Sequence, residues 1–87
     1  MSKAITPNPA TETPEAIRAR QLAIITHRIE TVVGYRNMVQ HQPLRAVLDK
    51  ERYDRVVQML WDEYQFKPEP IDSIKDIAYI LQKRINP

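Results

Sequence analysis

Apolar side chains recur along this chain at intervals of three and four residues, the spacing that lines up one face of an α-helix. In the first such stretch, Leu22, Ile25, Ile29 and Val32 share one side, and Ile17, Ile24, Thr31, Tyr35 and Met38 form a second stripe opposite. Between the stripes runs a small or polar row of Ala16, Ala19, Ala23, Thr26, Glu30, Gly34 and Asn37. A helix apolar around more than half its circumference is expected to pack on two sides. Its start is sharply marked, with Thr13 as N-cap, Pro14 at the first helical position and Glu15 at the positive end of the dipole. The pattern predicts a helix from Pro14 to about Gln40.

Gly34 is the chain's single glycine and falls inside this stretch. Within a helix it costs roughly 1 kcal/mol relative to alanine. It marks a helix end or kink, a close approach of a neighbouring backbone, or a tolerated cost. Because Tyr35, Met38 and Val39 continue the periodicity, the expectation is a continuous or mildly bent helix. A short strand over Val32-Val33-Gly34-Tyr35 is the minor alternative.

Pro43 then opens a short helical turn carrying Leu44, Val47 and Leu48. Asp49 caps a third helix to about Gln65, with Tyr53, Val56, Val57, Leu60, Trp61 and Tyr64 on one face. The turn and the third helix either stay separate or merge with a bend at Asp49. Phe66-Lys67-Pro68-Glu69-Pro70 forms a stiff linker, because residues before proline are pushed out of helical geometry. Asp72 or Ser73 caps a last helix to about Arg84, with Ile74, Ile77, Ala78, Leu81 and Ile85 facing inward and Lys83 and Arg84 at its negative end. Residues 1–12, with Pro7 and Pro9 and little that is large and apolar, read as a disordered tail. The fold class expected is all-α: a small bundle of three main helices plus a short helical turn over residues 13–87, one domain.

A first helix reaching Gln40 would be about 40 Å long, in a domain roughly 30 Å across. Such an overhang needs a cover, and a second copy of the same helix is the simplest. A homodimer is therefore expected, with Leu22, Ile25, Ile29 and Val32 at the seam and Arg36 beside them. A chain of 87 residues buries only about 60% of its unfolded surface, which adds to the case for association. The alternative is a monomer whose first helix breaks near Gly34 and folds back.

Composition narrows the chemistry. Cysteine is absent, so disulfides, thiolate metal sites and thiol catalysis are excluded. A lone glycine leaves no phosphate-cradling loop. His27 and His41 lack a neighbouring ligand at metal spacing, and Asp49 and Asp72 are better explained as caps. The expectation is a non-enzymatic chain with no cofactor and no metal. The longest clearly apolar run, Leu22-Ala23-Ile24-Ile25, is far short of the ~20 residues that span a bilayer. Thr6, Pro7, Asn8 and Pro9 interrupt any secretory apolar segment, so a cytoplasmic protein without membrane contact is expected.

Two function classes remain. Tyr79 and Ile80 fall off the main stripe of the last helix and would suit contact with another protein, as anchors do; Trp61, at the edge of the third helix's apolar face, is expected in the core, with a partner contact as its alternative. This favours an interaction module acting as an adaptor, regulator or assembly factor. The alternative is a nucleic-acid-binding regulator using the basic residues Arg18, Arg20 and Arg28 of the first helix. With 13 Lys and Arg against 11 Asp and Glu, the net charge of +2 neither demands nor excludes such a partner. A helix-turn-helix reading of residues 43–65 is weakened by the nearly cancelling charges from Asp49 to Arg55.

Overall fold

Four helices and the turns between them make up the computed structural model, which describes residues 13–85. The tail expected over residues 1–12, residues 86 and 87, and the side chain of Ile85 lie outside the described part. In chain order the helices are α1 (Pro14–Val33), α2 (Leu44–Val47), α3 (Lys50–Tyr64) and α4 (Ile74–Ile85). No strand occurs among the described residues, only an isolated antiparallel bridge between Pro43 and Ser73. The all-α bundle of three main helices and a short helical turn is therefore present.

The helix starts follow local chemistry. Thr13 is extended, and its hydroxyl accepts the Ala16 N–H at 3.1 Å. Asp49 is likewise extended and accepts the Arg52 N–H at 2.9 Å. That bond, reinforced by the Arg52 charge, holds the Asp49 carboxyl below its usual range. Ser73, rather than Asp72, caps α4. Its hydroxyl accepts the Asp76 N–H and the Asp76 carboxylate accepts the Ser73 N–H, each at 3.1 Å. This reciprocal box fixes both the start of α4 and its rotation. Leu48 is extended, so α2 and α3 are separate elements.

The first helix is shorter than its periodicity suggests. It ends at Val33, and Gly34 turns the chain with φ +81°, in the left-handed region glycine enters without a Cβ penalty. The Gly34 N–H still donates to the Glu30 carbonyl at 2.8 Å, and the Glu30 carboxylate accepts the Met38 N–H at 2.8 Å. Asn37, also at positive φ, completes the reversal. Met38 thus reaches the core from a loop, half-buried against it, which is why its position mimicked a continuing helix.

The core takes Ile25, Ile29 and Val33 from α1, Leu44 and Leu48 from the α2 region, and Tyr53, Val56, Met59 and Leu60 from α3. Helix α4 adds Ile74, Ile77, Ala78 and Leu81, as expected. Both α3 and α4 pack on α1, and they cover one stripe of it rather than two opposite sides. The second stripe stays largely uncovered, with Ile24, Thr31 and Tyr35 exposed. On α3 the buried face is rotated toward Met59, which leaves Trp61 49% exposed instead of facing inward.

Polar links set the helices against one another. Arg52 bolts the start of α3 to the end of α1: its Nε donates to the Val33 carbonyl at 3.3 Å and its guanidinium lies 4.9 Å from the centre of the Tyr35 ring. Gln40 joins α1 to α4. Its side chain donates to the buried Thr26 hydroxyl at 2.9 Å, and its carbonyl accepts the Lys75 N–H at 2.9 Å. The linker expected over residues 66–70 runs without helix, and the Tyr53 hydroxyl points to the Pro68 carbonyl at 3.5 Å.

Candidate functional site

Helices α1 and α4 are drawn together by their buried stripes and by the Gln40 clamp. Beside that contact their outer edges do not close. They leave a groove of about 270 Å³ lined by Arg18, Ala19 and Leu22 of α1 and by Lys75, Ala78, Tyr79 and Gln82 of α4. Lys75, Tyr79 and Gln82 are spaced four and three residues apart, so they form one ridge along α4. The small residues Ala19 and Ala78, together with half-buried Leu22, make an apolar floor. Tyr79 stands over it, 52% exposed, with the Lys83 ammonium 5.1 Å from its ring centre. The ammonium on the ring face restrains an aromatic side chain that is otherwise free on its outer side.

The rim of this groove is positive. Arg18 and Lys75 line it, and no carboxylate does. Arg18 meets Glu15 at 3.9 Å, with both side chains in water, a pairing too exposed to neutralise it strongly. Lys75 has no carboxylate partner among the described residues. The acids nearest in sequence are engaged elsewhere: Asp76 in the α4 cap, and Asp72 with the Glu69 N–H at 2.8 Å.

Two other hollows are less suited to a ligand. The larger, about 600 Å³, lies at the end of α1 and is bordered by His27, Glu30, Thr31, Tyr35, Arg36 and Asn37. Its acid and hydroxyl already serve the fold, Glu30 through the Met38 N–H and Thr31 by donating to the His27 carbonyl at 2.8 Å. The third, about 330 Å³, borders Trp61 with Val57, Gln58 and Lys67 on α3. No group of three or more His, Asp or Glu among the described residues is placed to hold a metal ion.

The residues of the expected dimer seam are divided among the core, its edges and a loop. Ile25 is 1% exposed and Ile29 is fully buried, both covered by α3 and α4 of their own chain. Leu22 and Val32 are half-buried at the edges of that contact. Arg36 lies past the end of α1, in the loop, and no longer flanks the stripe. The physical reason is the reversal at Gly34. It shortens α1 to about 30 Å, the width of the domain, and removes the overhang that called for a second copy.

The expected partner contacts are divided. Tyr79 and Trp61 are exposed but line separate hollows, and Ile80 is half-buried. The three basic residues are also dispersed. Counted from Arg18 at ~100° per residue, Arg20 lies about 200° and Arg28 about 280° around α1. Arg28 is bound to Glu63 of α3. That pair offsets negative charge near the end of α3. Lys75 and Gln82 were not singled out by the sequence, Ala19 stood only in the small or polar row of α1, and Ala78 only on the inward stripe of α4. The 75, 79, 82 spacing was visible there, but which edge of α4 stays open depends on where α3 lies.

The chain matches no protein-family model, no curated protein and no solved structure.

Proposed function

We propose that this chain is a non-enzymatic protein-interaction module whose working surface is the groove between α1 and α4. The observation that carries the reading is Tyr79, exposed on the wall of a preformed apolar groove. Aromatic side chains that overhang an apolar floor are the usual anchors of protein interfaces, because they bury large area with few rotors. At about 270 Å³ the groove is below the roughly 300–1,000 Å³ of small-molecule sites, and it suits a few side chains of a partner better than a cofactor. Adaptor, regulator and assembly roles all reduce to this one act of docking. No helix among the described residues is long and apolar enough to cross a membrane.

The nucleic-acid reading has less support. A phosphate-tracking surface needs cations on one face. Arg18, Arg20 and Arg28 point in different directions, and Arg28 is tied to Glu63. On α3 the pairs Lys50–Asp54, Arg52–Asp49 and Arg55–Glu51 leave little net charge for a recognition helix.

Photo-crosslinking in the producing cell tests the reading. A photoreactive phenylalanine analogue is placed at position 79, and as control at Asp54 on the exposed face of α3. Protein adducts formed from position 79 and absent from position 54 are the expected result. Nuclease-sensitive adducts, or equal yields from both positions, would overturn it.

A further inference from the structure

The groove lies between two of the three long helices, on the side where a further long helix could pack. Around α4, Arg84 follows Lys75 by nine residues and so points about half a turn away from it. On that Arg84 edge α4 is tied to the end of α3: Arg84 donates to the Tyr64 carbonyl at 3.3 Å and its guanidinium lies 5.8 Å from the centre of the Phe66 ring. The opposite edge, with Lys75, Tyr79 and Gln82, faces the open groove beside α1. The first half of α1 is open on the same side at Arg18, Ala19 and Leu22. Small residues on the floor allow close approach, and ridges at three- and four-residue spacing accept a helix better than an extended strand.

Charge identifies the occupant. Arg18 and Lys75 flank the floor, Lys83 sits over Tyr79, and the lining contains no carboxylate. A second copy of this chain, docking the same patch on itself, would bring like charges face to face, because a two-fold interface is self-complementary. We infer that the α1–α4 groove binds an acidic amphipathic helix of a different protein. Leucine-like side chains at i, i+4 and i+7 fill the floor, and flanking Glu or Asp meets Arg18 and Lys75. This rests on the interaction-module reading and specifies its partner.

The test uses the full chain, isotope-labelled for NMR, and a stapled amphipathic peptide with Leu at i, i+4 and i+7 and Glu on both flanks. The staple is needed because short free helices are marginal in water. A twin peptide carries Lys in place of Glu. The acidic peptide is expected to shift the amides of Leu22, Ala78 and Tyr79 and to bind about tenfold or more tighter than its twin. Lys75→Glu is expected to abolish that preference, and Tyr79→Ser to weaken binding by about tenfold or more. Both positions are exposed, so the urea midpoint should not move.

Equal binding of the two peptides overturns the inference, as does an acidic peptide that shifts amides only outside the groove. A free chain that sediments as a dimer, and becomes a monomer on Tyr79→Ser, makes the second copy the occupant and also overturns it. Protein adducts at position 79 without an acidic-peptide preference would sink this inference and leave the interaction-module reading standing. The absence of adducts would sink that reading itself.

Discussion

Replacing Gly34 with alanine separates two accounts of α1 by the sign of its effect. In the structure Gly34 is left-handed, with φ +81°, and nothing lies within 4 Å of where a Cβ would stand. The substitution therefore causes no clash, and its cost comes from the backbone alone. A non-glycine residue in left-handed geometry loses roughly 1–2 kcal/mol. Alanine returns about 0.4–1 kcal/mol by restricting the unfolded chain. The net expectation is a loss of about 1 kcal/mol, equivalent to a fall in Tm of roughly 4–8 °C for a domain this size. Had α1 continued through residue 34, alanine would instead stabilise by about 1 kcal/mol. Urea denaturation followed by far-UV circular dichroism reads the difference, provided the m-value is unchanged. Gly34→Asn should lose less than Gly34→Ala, because asparagine tolerates the left-handed region. A stabilised alanine variant would refute the helix end at Val33 and with it the removal of the overhang.

Ile29, fully buried, should cost about 2–5 kcal/mol when cut to alanine, and the loss should not depend on protein concentration. A loss that vanishes at high concentration would restore Ile29 to an intermolecular seam. Asp49 is held below its usual carboxyl range, chiefly by the Arg52 N–H, so its contribution is present above the unfolded value and fades as acid protonates it. Asp49→Asn should flatten the acid limb of the stability profile, and an unchanged limb would remove this role. Tyr53 is raised above the ordinary phenol value, first by burial and then by the Asp72 charge. Its contribution is complete below pH ~10 and is lost as pH rises toward the raised value. Tyr53→Phe should therefore lose less stability than the parent between neutral and alkaline pH, as followed by urea midpoints. Equal losses would show that Tyr53 does not couple to folding.

Elements with local causes were legible before the fold was known. The caps at Thr13 and Asp49, the proline linker after α3 and the inward stripe of α4 all depend on residues a few positions apart. Local chemistry therefore specified the all-α bundle and nearly all its boundaries. The end of α1 was not legible, because Met38 keeps helical phase with Ile24 and Thr31 while reaching the core from a loop. Only the folded chain shows that Glu30 clamps the Met38 N–H and that Gly34 is left-handed.

The candidate site divides in the same way. Tyr79 stood out in the sequence as an aromatic residue off the main stripe of its helix. Lys75 did not, and Ala19 and Ala78 were marked only as a small position and an inward position, since a groove is made by two helices and exists only once their relative placement is set. Periodicity reports which side of a helix is apolar. It does not report which neighbours cover that side, because burial depends on contacts between residues far apart in the chain. For that reason Ile25 and Ile29 passed from an expected seam to the core, Trp61 from the core to the surface, and Arg28 from a nucleic-acid contact to an ion pair with Glu63.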